Sequence, residues 1–287
     1  MAEIQSPASI RASMAFLRDL KLYEVEKPYH LTLSKDREAD SILTNIVHDV
    51  YENIEVTNVR GYADAFCLDV HGFQLLRHET SLQMDDFGKP EARERYSSEI
   101  ANLLKECMGA QEVRLMHYMV RDRSLSKVQD HEQRSSDVAH GRPIPGIHID
   151  ASHDGALSRI RQRWPEEAKE LQRRRFQIVN VWRPLTSGLT SWPLALCDVR
   201  SVAARDLVLA DQILPGHQGE NTLVFFNPDH KFYYINGQRQ DELWVFKQFD
   251  SLDSVAGGCP HTSFEASETS PKTGLEQSVE VAMLVLY

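Results

Sequence analysis

Apolar residues change their spacing along this chain. In the first hundred or so residues they recur at three- and four-residue intervals, the period of an amphipathic helix. Ser6 before Pro7 reads as a helix N-cap with proline in the first turn. Ile10, Met14 and Leu17 follow as one stripe, widened by Phe16 and Leu20. Ile42, Leu43, Ile46, Val47 and Val50 predict a second helix over 36–52, and Ile100, Leu103, Leu104 and Cys107 a third over 91–108. Strand-like runs lie between them at 54–60 and 64–70, with 71–73 extending the second, and another occupies 112–120. From 146 onward β-branched and aromatic runs dominate, at 176–183, 193–199, 206–210, 222–227, 231–235, 242–249 and 278–287, separated by Pro, Gly and Asn. One helical interruption at 155–173 is broken by Pro165.

This pattern predicts an α+β fold in a single domain over 1–287. A largely helical N-terminal part, 1–110, carries a few strands, and a β-sandwich or barrel core fills 111–287. Residues 121–145 form a polar stretch without periodicity, long enough to serve as a lid over a site or to be a plain surface excursion. No internal repeat is present.

Composition narrows the function classes. Hydrophobic residues at 41% and charged residues at 26% exclude disordered, collagen-like and coiled-coil chains. A net charge of -10 argues against nucleic acid and anionic membrane surfaces as partners. Cys67, Cys107, Cys197 and Cys259 are widely spaced with no C-x-x-C pair, which suits a reducing compartment better than a disulfide framework or a zinc knuckle. The first twenty residues lack the apolar run of a signal peptide, and no stretch is long and apolar enough to span a bilayer. A soluble cytoplasmic protein is the expectation.

The sharpest chemical feature is Gly146-Ile147-His148-Ile149-Asp150. On a strand, His148 and Asp150 share a face and can hold a divalent metal from one side. One further histidine completes a 2-His-1-carboxylate facial triad of the non-haem Fe(II) type, with positions left open. An H-x-D match alone carries little weight, because chance supplies about one in a chain of this composition. His217, His230 and His261 are the candidates for the third ligand. His217 and His230 sit in turn-like sequence, whereas His261 precedes the closing strand, the place of a distal histidine in a double-stranded β-helix. Trp182, Trp192, Tyr233, Tyr234 and Trp244 can line an apolar pocket or simply fill the core. His153 and Asp154 are placed to orient ligands or to cap a helix. Arg173-Arg174-Arg175 reads as a solvated helix end.

Several segments together resemble the fungal gibberellin desaturase and cephamycin methoxylase-like family of secondary-metabolism oxygenases. They include Val59-Arg60-Gly61, Leu68-Asp69-Val70-His71-Gly72-Phe73-Gln74, Val120-Arg121, Gly146-Ile147-His148-Ile149-Asp150, Asn180-Val181-Trp182-Arg183-Pro184-Leu185, Pro193-Leu194-Ala195-Leu196-Cys197-Asp198, Phe246-Lys247-Gln248-Phe249-Asp250 and His261-Thr262-Ser263-Phe264. The resemblance runs in order over nearly the whole chain. It implies a double-stranded β-helix (jelly-roll or cupin-like), Fe(II), usually 2-oxoglutarate, O2 and a small natural-product substrate. It selects His148, Asp150 and His261 as ligands. One departure stands out. Glu276 and Ala282 occupy places where that family is expected to carry arginines on its final strand, one of them holding the far carboxylate of 2-oxoglutarate. Arg183, Lys247 and Lys272 are the replacement cations considered, and Asn180, Tyr233 and Trp244 the other candidate substrate or co-substrate contacts. The departure keeps three more readings open: an iron oxidase that uses O2 with electrons drawn only from the substrate, a metal-assisted, non-oxidative isomerase or cyclase on the same fold, and a catalytically idle metabolite-binding subunit. A homodimer, or pairing with a homologue, is compatible with either.

Overall fold

The computed structural model describes residues 9–32, 42–122, 139–141, 146–186, 188, 192–214, 216–266 and 277–287. Most of the polar stretch at 121–145, together with Lys272 and Glu276, lies outside the described residues. The elements in chain order are β1 (Ser9–Leu17), β2 (Tyr29–Thr32), β3 (Ile42–Thr44), β4 (His48–Asn58), α1 (Leu68–His71), β5 (Phe73–Arg77), α2 (Pro90–Met108), β6 (Glu112–Asp122), β7 (Ala139–Gly141), β8 (His148–Ile149), α3 (His153–Arg163), α4 (Ala168–Leu171), β9 (Phe176–Pro184), β10 (Leu194–Cys197), β11 (Leu207–Leu214), β12 (His217–Val224), β13 (Phe232–Tyr234), β14 (Glu242–Asp250), β15 (His261–Ser263) and β16 (Gln277–Leu286).

Two sheets carry the fold. The larger has the order β1-β4-β13-β10-β15-β8-β12-β11-β2-β3, and the smaller β5-β14-β9-β16-β6-β7. Neighbouring strands are mostly distant in sequence, as in a double-stranded β-helix. The smaller sheet is buried on both faces. On its outer face Val179, Val181, Val245, Val279, Val281 and Met283 pack against Tyr96, Ile100 and Leu104 of α2. Truncating any of these large apolar side chains to alanine costs about 2–5 kcal/mol. On its inner face Phe73, Trp182, Trp244 and Phe246 meet Leu194 and Leu196 of the larger sheet.

The N-terminal helices expected from the apolar spacing are strands. β1 pairs antiparallel with β4 from Ser9↔Thr57 to Leu17↔His48. Met14 and Leu17 fit a helical stripe, but Ala12, Met14 and Phe16 are buried at every second position, with Ser13 exposed and Ala15 half-buried between them, and Leu17 is buried at the strand's end. The described part of the second expected helix is β3, a turn and the start of β4. Its supposed apolar face is split, since Leu43, Val47 and Val50 are exposed while Ile46 packs against Leu17, Ala210 and Leu223. The expected strand at 64–70 is instead a short turn followed by α1, which Gly72 ends at a φ of 89° in the left-handed region. The other helical expectations hold: α2 starts on Pro90, Gly109 closes it at a φ of 66°, and Pro165 separates α3 from α4.

Gly155, near the start of α3, brings that helix directly onto β12. A Cβ there would lie 2.0 Å from the Glu220 carbonyl oxygen, so only glycine fits. The Ser152 hydroxyl caps the helix by accepting from the Gly155 N–H. Helix start and strand are thereby locked together, and Asp150 sits just ahead of that lock.

Candidate metal centre

Register across the larger sheet places the histidines. Tyr233 on β13 pairs with Leu196 on β10, Leu196 with His261 on β15, His261 with His148 on β8, and His148 with Leu223 on β12. Residues directly opposite one another share a face, so His261 and His148 are adjacent on one row. Asp150, two residues after His148, returns to the same side. One ligand atom from each of His148, Asp150 and His261 lies within 4.8 Å of the others. The imidazole rings are 4.4 Å apart, and His148 Nε2 is 3.2 Å from Asp150 Oδ1.

Backbone and side-chain contacts orient all three groups. His148 Nδ1 lies 2.7 Å from the Gly146 carbonyl and His261 Nδ1 3.1 Å from the Cys259 carbonyl. Each Nδ1–H is thus spent on backbone, which leaves Nε2 with its lone pair. Asn180 Nδ2, from β9 of the opposite sheet, donates to Asp150 Oδ2 at 2.7 Å. The Asp150 N–H donates to Gln248 Oε1 at 2.7 Å, and Arg159 of α3 donates to the Asp150 carbonyl. Phe246 stands edge-on to His261 at 4.7 Å. Asn180 Oδ1 is buried beside Asp150 without a partner among the described residues, a polar atom that a metal-bound water would satisfy.

The electrostatics favour a cation. Burial alone would raise the Asp150 carboxyl, but the hydrogen bond with His148 and the charges of His261, His148 and Arg159 hold it well below the usual carboxylate range. Burial also opposes a charge on His148, yet the bond and charge of Asp150 outweigh it and carry His148 above its ordinary value. His261 is pushed down to about 4, by burial first and then by His148. Two positive imidazoles are therefore not accommodated together. A divalent ion answers the same carboxylate while leaving both rings neutral.

The remaining candidate residues divide by strand parity. Asn180 and Trp182 face inward, and Val179, Val181 and Arg183 face α2. Arg183 therefore does not cross the core toward the triad. Its Nε donates to the Tyr96 hydroxyl at 2.9 Å, Nη1 to the Gln240 carbonyl at 2.6 Å and Nη2 to the His78 carbonyl at 2.9 Å. Lys247 is fully buried between Asp69 and Asp250, each at 2.6 Å. Trp244 packs on Phe73 in the inter-sheet core, and Tyr233 packs on Phe66 and Phe73. Tyr234 lies in a separate cluster with Phe264. His230 is on that other side as well, bonded to Asp206 and stacked on Phe16. His217 starts β12 opposite Leu214. His153 and Asp154 are exposed and bond each other, the helix cap being Ser152 instead. The arginine run is less solvated than its composition suggests, because Arg174 pairs with Glu112 and Arg175 with Asp250.

Three groups near the triad carry no role in the sequence reading. Gln248 enters where β14 shifts register against β9 between Lys247 and Phe249. Arg121 on β6 and Glu280 on β16 form an ion pair at 3.6 Å, with side-chain exposures of 13% and 12%. Polar residues at every second position of an otherwise apolar final strand, Ser278 and Glu280, were the available signal.

A family model described as an oxidoreductase/YMDC permease-like domain matches residues 14–286. The chain belongs to this family. Relatives of this oxidoreductase are fungal. A hydroxylase/desaturase of Hormonema carpetanum is 29% identical over 302 residues, covering 100% of this chain and 97% of that protein. A hydroxylase/desaturase of Cercospora beticola is 33% identical over 74% of this chain and 69% of its own length. An alpha-ketoglutarate-dependent dioxygenase of Talaromyces stipitatus is 28% identical over 82% of this chain and 84% of its own. The oxidoreductase also shares its fold with the iron and alpha-ketoglutarate-dependent endoperoxidase NvfI, at a TM-score of 0.81, 22% identity, and coverage of 97% of this chain and 98% of that one. Among the described residues no helix is long and apolar enough to cross a membrane.

Proposed function

We propose that this protein is an Fe(II)- and 2-oxoglutarate-dependent oxygenase acting on a small, largely apolar natural-product intermediate. Its reaction is hydroxylation, desaturation or oxidative cyclisation, and its particular kinship is with the gibberellin desaturase and cephamycin methoxylase-like enzymes. The observation that carries this reading is the triad: one ring nitrogen from each of His148 and His261 and one carboxylate oxygen of Asp150 lie within 4.8 Å of one another. Names of the fungal relatives, hydroxylase/desaturase and alpha-ketoglutarate-dependent dioxygenase, support the same chemistry. Four free cysteines, two of them buried, fit a reducing compartment such as the cytoplasm.

His148, Asp150 and His261 would hold the iron, which when bound activates O2 for attack on an unactivated C–H bond. His148 and His261 present neutral Nε2 donors because their Nδ1–H groups are fixed on carbonyls. Asn180 holds one oxygen of Asp150 and so aims the other at the centre. Trp182, Trp244, Phe246 and Phe73 form the apolar core between the sheets, and Phe246, edge-on to His261, brings that core up to the triad.

The test is an anaerobic titration of the Fe(II)-loaded protein with 2-oxoglutarate, following the visible metal-to-ligand charge-transfer band. A saturable band at stoichiometric iron is expected. Bound iron without a band would remove 2-oxoglutarate from the reading, and failure to bind iron would remove the oxygenase itself.

A further inference from the structure

Two segments of the family resemblance contribute no ligand to the triad: Leu68-Asp69-Val70-His71-Gly72-Phe73-Gln74 and Phe246-Lys247-Gln248-Phe249-Asp250. They meet behind it. Lys247 donates from Nζ to Asp69 of α1 and to Asp250, and from its main-chain N–H to the Gly72 carbonyl at 2.8 Å. This clamp lies where β14 carries one residue more than β9. Lys247 pairs with Val179 and Phe249 with Ile178, and Gln248 is the extra residue between them. A bulge of this kind re-aims a side chain. Gln248 is 1% exposed, and its Oε1 accepts from the Asp150 N–H at 2.7 Å.

Both arms of the triad lead to the bulge. β8 ends at Ile149, so His148 is held by its ladder partners on β12 and β15, while Asp150 stands past the ladder. Its main-chain N–H rests instead on Gln248, 98 residues further along the chain. On the other arm the Lys247 carbonyl accepts from the Cys259 N–H at 2.8 Å, and the Cys259 carbonyl in turn fixes His261 Nδ1. Gly258 lets the two arms close on the bulge. A Cβ there would lie 3.1 Å from Ile149 Cγ2 and 3.3 Å from the Gln248 carbonyl oxygen.

Packing alone does not favour a glutamine at this place. Its Nε2 is buried without a partner among the described residues, a desolvation cost that an apolar side chain of similar length avoids. What the amide oxygen adds is its hold on Asp150.

We propose that Gln248 is a positioning residue of the metal centre: it sets Asp150 against His261 at the spacing a metal ion requires, and the Lys247 clamp keeps it there. This role rests on His148, Asp150 and His261 being the metal ligands, as read above, and adds the group that spaces them.

The experiment is an anaerobic titration of full-length wild type, Gln248→Met and Gln248→Asn with Co(II), whose visible ligand-field bands report both occupancy and geometry. Urea midpoints of the metal-free proteins are measured alongside. Gln248→Met keeps the length of the side chain and loses the acceptor. It is expected to lose on the order of 10- to 100-fold in Co(II) affinity and to change the shape of the bands, at a metal-free midpoint close to that of wild type. Gln248→Asn keeps the amide on a stem one methylene too short, and the same loss and band change are expected. If Gln248→Met does not fold, Gln248→Asn carries the test alone: weaker binding with altered bands supports the role, and wild-type binding overturns it. Wild-type affinity and bands in both variants would overturn the proposal. Weaker binding with unchanged bands and a fallen metal-free midpoint would make the side chain a packing group, and would overturn it as well. Failure of wild type itself to bind Co(II) or Fe(II) would instead remove the metal centre, a result distinct from any loss confined to the variants.

Discussion

Arg183 and Arg121 stand on the two strands that flank β16, and both are largely withdrawn from water. Their register partners on β16 are consecutive residues, Val279 for Arg183 and Ser278 for Arg121. That single step sends them to opposite faces of one sheet. Arg183 is consumed by the Tyr96 hydroxyl, the Gln240 and His78 carbonyls and the His78 ring, deep under α2. Arg121 pairs with Glu280 on the opposite, inward face. Residue type and burial are therefore poor guides to which arginine faces the outer layer and which faces the triad side of the sheet. Strand parity decides it, and substitutions on the two faces should separate cleanly into metal-binding effects on one side and stability effects on the other.

The largest effect is expected on the inner side. His261→Ala should abolish Fe(II) binding while leaving the circular dichroism spectrum unchanged, since the lost ring faces the chamber and two of three ligands cannot retain the ion. Unchanged iron stoichiometry would show that the centre is not built on His261. Next comes the outer face. Arg183→Gln strips the buried Tyr96 hydroxyl and two part-buried carbonyls of their donor and should cost about 3–5 kcal/mol of stability, read as a lower urea midpoint. Iron binding by the folded protein should not change. A loss of iron affinity in this variant, or a stability loss under about 1 kcal/mol, would break the division between faces.

A subtler inner-face change sharpens the comparison. Asn180→Ala removes the group that holds Asp150 Oδ2 without touching a ligand. Losing such an orienting hydrogen bond should cost about 10- to 100-fold in iron affinity. Asn180→Asp is a useful companion, because it keeps the shape but places a second carboxylate against Asp150. If Asn180→Ala binds iron like wild type, the amide is a spectator and the triad is held by its backbone contacts alone.

How much of this was legible in the sequence follows the same physical divide. Strands β9, β14 and β16 are fully or nearly fully buried, so their apolar runs are continuous and their limits plain. His148 and Asp150 were readable because H-x-D on a strand fixes a common face by local geometry alone. His261 became a neighbour of His148 only through the pairing of β15 with β8, a contact between residues more than a hundred positions apart, and the family resemblance supplied what spacing could not. The N-terminal strands do not declare themselves because Ile10, Met14 and Leu17 recur at helical spacing, while the alternation of Ala12, Met14 and Phe16 that marks the strand is short. Exposed Val47 and Val50 then added apolar positions that bury nothing. The directions of Arg183 and Arg121 depend on register set by tertiary pairing, which no short window contains.

The smallest expected effect concerns a buried ionisable pair remote from the chamber. His230, a candidate ligand by sequence, is held at 3.1 Å from Asp206, its side chain only 1% exposed and its Nδ1 without a partner among the described residues. Burial lowers its proton affinity, and Asp206 does not fully offset this. As pH falls through about 6.5, the unfolded chain takes up this proton before the native protein does. The contribution of His230 to stability is thus complete above that pH and declines as pH drops below it. Asp206, itself lowered although burial acts the other way, gives up its contribution only in the more acidic carboxylate range. Between pH 7 and pH 5 the difference in stability between wild type and His230→Gln therefore isolates the histidine. It should shrink steadily toward acid in urea titrations at fixed ionic strength, with iron stoichiometry identical in both proteins throughout. A constant difference would mean that the ring holds its proton equally in native and unfolded chains. A change in iron binding would place His230 back among the ligands and undo the separation of faces on which the other tests rest.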